Sequence, residues 1–273
     1  MKKYILLLLI ITIAIVYNVY FNHEKRIIRI GVECGHAPYN WEEKKASKTN
    51  FPLVNHSGFY AEGYDVQMAK EIADSIGAEV EFRKIKFESL IDALLIGEID
   101  AIFSGMVDTD ERKEKINFTV PYEVRKTEYA AVVNSKSIYT QAKSIKELDG
   151  ARMIAQKNSR FDAVIDQIPN VKHIPPLETQ TEVIDAVVNF NADGTVVNYD
   201  TGLSYENTYK NLTVIYFHDD NGFELGFTGL CAGVRKNDKK LLDELNTAIE
   251  GMTQRQRQKI MDKTIQSLWK NLE

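Results

Sequence analysis

Patterns typical of strands and helices alternate along the first part of the chain. Strands that are joined through helices pair in parallel, and helices then cover both faces of the sheet. The alternation therefore predicts an α/β fold with a mainly parallel sheet. In order, the patterns are a strand at 27–32, a helix at 65–76, a strand at 80–85, a helix at 89–96 and a strand at 99–103.

A second series of such units begins near residue 129. A chain of 273 residues is long enough to form two modest lobes, so the repeat predicts two α/β lobes in tandem. Residues 41–60 are polar and charged, and we expect them to form a surface loop. The predicted strands of the second series are 129–133, 152–155, 173–174, 195–199, 212–217 and 225–234, and the predicted helices are 161–168, 181–190, 239–252 and 253–269.

Composition excludes some classes of function. The net charge is −5, and no basic stripe with interleaved aromatic residues is present, so we expect no nucleic-acid partner. The five histidines are scattered without the spacing of zinc ligands, so no metal and no cofactor are expected. Cys34 and Cys231 could form a disulfide, but their separation and number favour two free thiols.

The N-terminal segment is the strongest apolar feature. Lys2 and Lys3 precede an uncharged run at residues 4–21, as in an export signal. The run lacks a small-x-small cleavage motif, and its 18 residues are at the short limit for a membrane span. Residues 1–26 are therefore predicted to be a signal peptide or a membrane anchor, with the remainder extracytoplasmic.

Residues 100–122 carry the best candidate site. A strand pattern leads into the small residues Ser104 and Gly105, and Thr109 is a good N-cap for a short helix that contains Arg112. A guanidinium beside a strand end can bind a small carboxylate through two parallel N–H bonds. The alternative from this segment alone is a surface Arg112 paired with Asp108 or Glu114.

These motifs, taken together, resemble the signature of the extracellular solute-binding proteins of family 3, which are the polar amino-acid binding proteins of ABC importers. The resemblance extends from about residue 27 to the C-terminus. The matching motifs are Asp100-Ala101, Ser104-Gly105-Met106, Thr109 to Arg112 and Phe118-Thr119-Val120-Pro121-Tyr122, preceded by Ile28-Arg29-Ile30-Gly31-Val32-Glu33, Ala37-Pro38-Tyr39, Glu62-Gly63-Tyr64-Asp65-Val66 and Phe87-Glu88-Ser89-Leu90-Ile91.

The resemblance implies a two-lobe, type II periplasmic-binding-protein-like fold. Each lobe would be a mostly parallel sheet flanked by helices, with two hinge crossings, near residues 125–131 and 224–230. The ligand would then lie between the lobes, at the carboxyl ends of strands. Lobe 1 would comprise residues 27–125 and 230–273, and lobe 2 residues 126–229.

For lobe 1, the resemblance implies that Arg112 binds the α-carboxylate of an amino acid. The Val107 N–H and the Ser104 carbonyl, at the corner made with Gly105, would bind the carboxylate and the α-amine. Glu33 would lie near the amine, although a solvated loop carboxylate is the alternative. His36 and Phe87 would flank the ligand side chain.

For lobe 2, the resemblance is weaker. The family's Gly-Ser/Thr-Thr turn falls on Asn158, Ser159 and Arg160, and Arg160 departs from the usual small residue. Asp200 matches the family's strand-ending, amine-binding Asp. An alignment on Asp193-Gly194 places Asn198 there instead, and because residues i and i+2 of a strand face the same way, both were candidates. Asp200 is favoured; with Asn198 the amine would lose a charged partner.

The predicted function is the extracytoplasmic substrate-binding component of an ABC importer, which captures a polar or cationic amino acid and docks on membrane permease subunits. We expect it not to be an enzyme. The alternatives are an enzyme of the same fold such as a cyclohexadienyl dehydratase, which would use cleft carboxylates as acid and base, and a ligand-sensing domain.

Overall fold

The structure, a computed structural model, describes residues 25–123, 129–218, 221–224 and 229–270. Most of the predicted signal or anchor segment (1–26) and the centres of both predicted hinge crossings lie outside these residues. In the described part of the chain, no helix is both long and apolar enough to cross a bilayer.

The elements alternate much as the sequence predicts. The helices are α1 (Tyr64–Ser75), α2 (Leu90–Leu95), α3 (Asp110–Lys115), α4 (Arg160–Ile165), α5 (Gln180–Val188), α6 (Tyr199–Thr208), α7 (Lys239–Glu250) and α8 (Gln254–Lys270), with 3₁₀ turns at Phe87–Ser89 and Ile145–Leu148. The strands are β1 (Ile27–Val32), β2 (Gly35–His36), β3 (Asn40–Glu43), β4 (Phe51–Pro52), β5 (Tyr60–Glu62), β6 (Glu79–Lys84), β7 (Ala101–Ile102), β8 (Asn117–Phe118), β9 (Tyr129–Asn134), β10 (Arg152–Met153), β11 (Lys172–His173), β12 (Gly194–Asn198), β13 (Leu212–Tyr216) and β14 (Gly233–Val234).

Lobe 1 is built on a sheet with the order β6-β1-β7-β14-β8. Strand β1 pairs in parallel with β6 and β7, whereas β14 pairs antiparallel with β7 and β8. Ala101 packs in the core on one face of the sheet and Ile102 in the core on the other, as strand alternation requires. Helices α1, α7 and α8 cover the first face.

Lobe 2 repeats this plan, with the strand order β11-β10-β12-β9-β13. Strand β10 pairs in parallel with β11 and β12, and β9 pairs antiparallel with β12 and β13. Ala131 and Val133 face one core of this lobe, and Ala130 and Val132 face the other. The two-lobe α/β class is confirmed, although both sheets are mixed, with two antiparallel pairings each, and are not mostly parallel.

The predicted surface loop at 41–60 is in part a small sheet. Strands β2, β3, β5 and β4 pair antiparallel in that order beside the lobe 1 sheet. Apolar residues of this segment are buried among polar ones: Trp41 and Leu53 are buried, and both neighbours of Leu53 are exposed. The alternation was too short to be read from the sequence.

A buried carboxylate fixes the lobe 1 elements that border the cleft. Asp65, in the first turn of α1, accepts hydrogen bonds from Tyr122 Oη at 2.7 Å and Asn40 Nδ2 at 2.8 Å. Burial raises the pKa of Asp65 to about 7, although these bonds and one from the Gly105 backbone oppose the shift. Asp65 therefore ties the Ser104–Gly105 corner to two other segments of lobe 1.

Candidate functional site

The lobe 1 wall of the cleft is the turn between β7 and α3. Ser104 Oγ accepts a hydrogen bond from the Glu33 N–H at 3.0 Å, which joins the ends of two adjacent parallel strands. Gly105 has a φ of +61°, which favours glycine. Thr109 caps α3, because its Oγ1 accepts from the Arg112 N–H at 3.4 Å. The predicted cap and helix start are confirmed.

Arg112 projects from α3 towards lobe 2. Its guanidinium donates to the carbonyl of Val107 at 2.9 Å and to the carbonyl of Asn158, in lobe 2, at 2.6 Å. The group also lies over the Phe87 ring, 5.4 Å from its centroid. The alternative ion pairs with Asp108 and Glu114 are absent from the described contacts, where Asp108 pairs with Lys113 instead.

The lobe 2 wall is the turn that precedes α4. Asn158 has a φ of +58°, the left-handed conformation for which the family uses glycine, and Ser159 is the N-cap residue of α4. The Ser159 Oγ is buried and has no hydrogen-bond partner among the described residues. Arg160 follows directly, and its guanidinium donates to Asn198 Oδ1 at 2.6 Å.

Asn198 and Asp200 have different surroundings. Strand β12 ends at Asn198, which is buried, and Asp200 already lies in the first turn of α6. The premise that both residues continue one strand is therefore wrong, because a helix begins between them. Asn198 ends the strand and faces Arg160, whereas Asp200 accepts a long hydrogen bond, 3.5 Å, from the Tyr39 hydroxyl of lobe 1.

Glu33 is buried at the junction of the lobes. Its carboxylate accepts a hydrogen bond from the Gln156 side chain of lobe 2. Burial raises the pKa of Glu33 to about 7, although hydrogen bonds from Gln156 and from the Gln180 backbone oppose the shift. Glu33 is thus a buried residue between the lobes, and the alternative of a solvated loop carboxylate is wrong.

Aromatic rings from both lobes surround the two arginines. His36 Nε2 is 2.9 Å from Thr201 Oγ1 of lobe 2, and burial together with the charge of Arg160 lowers the pKa of His36 to about 3. The imidazole is therefore neutral. Its ring centroid lies 6.0 Å from that of Phe161, in an edge-to-face arrangement.

Two connected spaces lie between the lobes. An inner cavity of about 20 Å³ opens beside an outer one of about 850 Å³, and both share Phe87, Val107, Arg112, Ser159 and Arg160 as lining residues. The inner cavity holds at most a water molecule. An amino acid therefore needs the lobes to move apart before it can occupy the inner cavity, whereas the outer cavity, which both arginines also line, has room for one.

The structure brings most of the predicted site residues to this one place. Glu33, Ser104, Asn198 and Asp200 do not line either cavity but contact residues beside it. Sequence reasoning did not find three contributors from lobe 2 (Gln156, Tyr129 and Phe161). Gln156 lies two residues before the Asn158 turn, and this proximity is the signal that could have identified it. The predicted residues that line a cavity are His36, Phe87, Gly105, Val107, Arg112, Asn158, Ser159 and Arg160.

Cys34 and Cys231 are separate buried thiols, as the sequence favours. Within the described ranges, no group of three or more His, Cys, Asp or Glu side chains is placed to hold a metal ion. What the cleft offers chemically is recognition of an acid group, through guanidinium and hydroxyl donors.

Two α/β lobes that meet across a cleft lined by two guanidinium groups define a two-lobed solute-binding protein of the type II periplasmic class. The sequence model of the bacterial extracellular solute-binding proteins, family 3, matches residues 28–267. The chain belongs to this family, and the predicted family membership is confirmed.

Individual relatives agree with this membership. ABC transporter arginine-binding protein 1 of Escherichia coli is 33% identical over 190 residues, which cover 68% of this chain and 74% of that protein. The probable histidine-binding protein of Campylobacter jejuni is 26% identical over 223 residues, which cover 82% of this chain and 78% of that protein. These named relatives are binding proteins.

The fold is also that of a solved relative. A crystal structure of the substrate binding protein of an amino acid ABC transporter matches with a TM-score of 0.73 and 24% identity, over 88% of this chain and 99% of that one. At this identity the match concerns the fold alone, and it agrees with the two-lobe, type II architecture.

Proposed function

We propose that this protein is the extracytoplasmic binding component of an ABC importer and that it captures a small amino acid between its two lobes. The observation that carries the proposal is the position of Arg112. The Arg112 side chain extends from lobe 1 across the cleft. Its guanidinium donates to the Asn158 carbonyl of lobe 2, beside the inner cavity. A ligand carboxylate at this point would contact both lobes at once.

The proposed mechanism is a hinged trap. The ligand binds lobe 1 first, where Arg112 holds the α-carboxylate with the Val107 N–H, and the Ser104 carbonyl accepts from the amine. A guanidinium has five N–H donors, so its two protein bonds leave donors for a ligand. Lobe 2 then closes with Asn158, Ser159 and the strand-ending Asn198.

Energetics permit useful affinity from this arrangement. Each charge-assisted hydrogen bond contributes roughly 1.5–3 kcal/mol. About four such bonds, less the costs of ordering and desolvation, suffice for the roughly 8 kcal/mol of a micromolar site. Closure follows binding only to the extent that the ligand prefers the closed form, and this closed form is what the importer's permease subunits would recognise.

Contacts between the lobes support a stable closed form. They combine hydrogen bonds in the cleft with ion pairs at its rim, and each joins a residue of lobe 1 to a residue of lobe 2. These contacts are Glu33 with Gln156, His36 with Thr201, Tyr39 with Asp200, Lys86 with Glu178, Glu88 with Lys157, and Arg112 with the Asn158 carbonyl.

A binding role is favoured over catalysis. A catalytic acid or base must reach a substrate proton, but Glu33 is occupied by Gln156, and His36 faces Thr201. The dehydratase alternative predicts turnover of prephenate or arogenate by the purified protein. We expect no turnover.

For localisation, residues 1–26 remain a predicted signal peptide or anchor to the cytoplasmic membrane, and the binding lobes are extracytoplasmic under this proposal.

Calorimetric titration of the purified protein with a panel of amino acids tests the proposal. The panel includes arginine and histidine, the amino acids that appear in the names of the two relatives. At least one amino acid should bind, and Arg112→Ala should weaken its binding at least about 100-fold, the effect of losing two charge-assisted bonds.

Lys115→Ala is the matched control for Arg112→Ala. It removes the same charge from the same helix, but Lys115 borders the outer cavity and not the inner one, and it pairs with Glu111 in an exposed ion pair. Its affinity should stay within about twofold of the wild type, because exposed pairs are weak. If Arg112→Ala binds as tightly as Lys115→Ala, the proposed site is wrong.

A further inference from the structure

Helix α8 carries a concentration of positive charge. Residues 254–270 contain five lysines and arginines and one acid, Asp262, although the whole chain has a net charge of −5. Spacings of four and seven residues return to the same side of an α-helix. Four exposed cations of α8 follow these spacings and therefore share one side of the helix: Arg255, Lys259, Lys263 and Lys270.

The opposite side of α8 packs on the core of lobe 1. Met261, Thr264 and Leu268 are buried there, and the helix contacts α1. The charged side therefore faces away from the protein. Among the described residues that line the two interlobe cavities, none belongs to α8. The charged side is thus separate from the proposed ligand site.

A second basic segment adjoins the C-terminal part of α8. The loop at 44–48, between β3 and β4, contains three exposed lysines and no acid. Thr49, which follows this loop, donates to Glu62 Oε1 at 2.6 Å, and Ser267 of α8 donates to the same oxygen at 2.8 Å. The loop and the helix therefore meet at Glu62, and their cations belong to one surface.

This surface, which we term the basic face, differs from other charged parts of lobe 1. Elsewhere exposed cations are paired with acids, as Lys70 is with Asp74 and Lys113 with Asp108. In the described part of the chain, no cation of the basic face forms an ion pair. Like charges on one surface repel one another, and a negatively charged partner relieves this repulsion. The basic face consists of Lys44, Lys45, Lys48, Arg255, Lys259, Lys263 and Lys270.

An exposed aromatic ring borders the basic face on α8. Trp269 is 45% exposed, whereas the second tryptophan of the chain, Trp41, is buried. Tryptophan favours the headgroup region of a bilayer, and helices that combine Lys and Arg with Trp bind anionic membranes. Residues 254–268 contain no aromatic residue on which nucleic-acid bases could stack. The composition therefore favours a lipid surface as the partner.

We propose that the basic face binds the anionic lipid headgroups of the membrane at which the importer works. The inference goes beyond the proposed function, because it assigns a second surface outside the ligand site, and only the choice of membrane rests on that function. Each Lys or Arg near an anionic bilayer contributes about fivefold to the partition coefficient. Several such charges together suffice for reversible adsorption, which would keep the protein close to the permease subunits.

Tryptophan fluorescence of the full chain in the presence of vesicles tests the proposal. In the variant Trp41→Phe, Trp269 is the only tryptophan, and brominated lipids quench a tryptophan that contacts the bilayer. Vesicles that contain phosphatidylglycerol should quench Trp269 at least about fourfold more than vesicles of phosphatidylcholine alone. Added salt should reduce the difference, because it screens the charges. Equal quenching by both vesicles, or none by either, would overturn the proposal.

A triple variant in the same background, Arg255→Gln with Lys259→Gln and Lys263→Gln, tests the charges of α8. Gln is a good helix former, so the helix should be retained. Quenching by phosphatidylglycerol vesicles should fall at least about fourfold, to the level seen with phosphatidylcholine. Quenching that stays at the level of the parent protein would show that these charges do not bind the lipid.

The matched control removes the same charge from lobe 2. Lys136→Gln with Lys143→Gln and Lys210→Gln changes three exposed lysines that also form no ion pair among the described residues. Its quenching should stay within about 1.5-fold of the parent protein, because charges beyond a Debye length are screened. An equal loss in both triple variants would show an effect of net charge and would contradict a specific basic face.

Glycerol 3-phosphate distinguishes a lipid surface from a site for a free phosphate group. At the same phosphate concentration as the vesicles it should not reverse the quenching, because one free headgroup contacts only part of the basic face. Complete reversal would assign the basic face to a soluble phosphate compound and would overturn the proposal.

The two proposals fail independently. Calorimetry should find the ligand affinity of the α8 triple variant within about twofold of the wild type, since α8 lines neither cavity. If Arg112→Ala abolishes ligand binding but anionic vesicles do not quench Trp269, only the lipid-binding inference is wrong. If vesicles quench Trp269 as expected but Arg112→Ala has no effect on ligand affinity, only the proposed function is wrong. Thermal unfolding of each variant verifies its folding.

Discussion

The two walls of the cleft differ in how they are built. On lobe 1, the motif residues of the family are present, and the turn that carries them is fixed by the buried Asp65 and its partners Tyr122 and Asn40. On lobe 2, Asn158 and Arg160 depart from the family's pattern, and Arg160 donates to Asn198, the residue that ends β12, at 2.6 Å.

This difference suggests a division of recognition. The fixed lobe 1 turn would bind the carboxylate that all α-amino acids share. The lobe 2 side chains project from the start of one helix, α4, and the end of one strand, β12. They can therefore change charge without a change in backbone conformation, and we infer that they select the ligand class.

The variant Asn198→Asp is expected to change ligand affinity most, because it places a carboxylate at the end of β12. The new carboxylate would form an ion pair with Arg160, which is now within 2.6 Å of Asn198 Oδ1. The carboxylate keeps further acceptor sites and can accept a charge-assisted hydrogen bond from the amine of a ligand, so arginine affinity should rise at least about tenfold. Calorimetry with arginine measures the change.

Asn207→Asp is the control for this change. Asn207 is an exposed residue of the same lobe whose side chain donates to the Leu203 carbonyl in its own helix. Asn207→Asp should leave arginine affinity within about twofold of the wild type. An Asn198→Asp protein that binds arginine like the wild type would show that lobe 2 does not select charge.

Stability should depend on pH through Glu33. Its pKa is raised to about 7 by burial, so the native state keeps a proton that the unfolded chain has lost. The free energy of unfolding therefore falls as pH rises from about 4.5 to about 7, by on the order of 3 kcal/mol at most. Glu33→Gln has no such titration. The free energy of unfolding of this variant, relative to that of the wild type, should therefore be higher at pH 8 than at pH 5.

Urea unfolding at both pH values measures the effect, and the difference between the two proteins isolates Glu33. Asp65 titrates in the same range but is common to both, so its contribution cancels. Parallel pH curves for wild type and Glu33→Gln would contradict the buried position of Glu33 between the lobes.

The smallest effect is expected far from the cleft, at His173. Partial burial lowers its pKa, but the hydrogen bonds that its ring nitrogens donate to Asp166 and Asp162, both at 2.8 Å, outweigh this and raise the pKa overall. The stabilisation is therefore present below about pH 6.5 and is lost as pH rises through the raised pKa. His173→Gln should lower stability at pH 5.5 by less than about 1 kcal/mol, because water screens the pair.

Thermal unfolding of His173→Gln at pH 5.5 and 8.5 measures this loss. Ligand affinity should not change in this variant, since His173 lies on the edge strand β11 of lobe 2. A loss of stability that is equal at both pH values would refute the ion pair as its cause.

The strongly periodic elements were predictable from the sequence. Helix α1 was predicted at 65–76 and is observed at Tyr64–Ser75, because its apolar residues recur at the helical period and Gly77, with a φ of +72°, ends it. Helices α7 and α8 also begin and end within two residues of their predicted positions. Local patterning alone determines such elements.

Helix α6 was missed, and this omission produced the wrong premise that Asn198 and Asp200 continue one strand. Its sequence contains Gly202 and several Ser, Thr and Asn residues, all of which are poor helix formers. Packing overrides this preference: a Cβ at Gly202 would lie 2.8 Å from the Val214 side chain of β13, so only glycine permits the observed approach. Tertiary contacts of this kind cannot be read from local sequence.

The site shows the same division. Arg112, Thr109 and the Ser104–Gly105 corner were predictable because they lie within one continuous motif. The contacts of Arg160 with Tyr129 and Asn198 were not, because three separate segments of lobe 2 meet there. The functional consequence of Arg160 depends on that meeting.

A crystal structure of the protein in complex with the amino acid that binds most tightly in calorimetry tests the central claim most directly. We predict its α-carboxylate in bidentate contact with Arg112, with both lobes closed on the ligand. A ligand bound outside the cleft, or one whose carboxylate does not contact Arg112, would contradict the account.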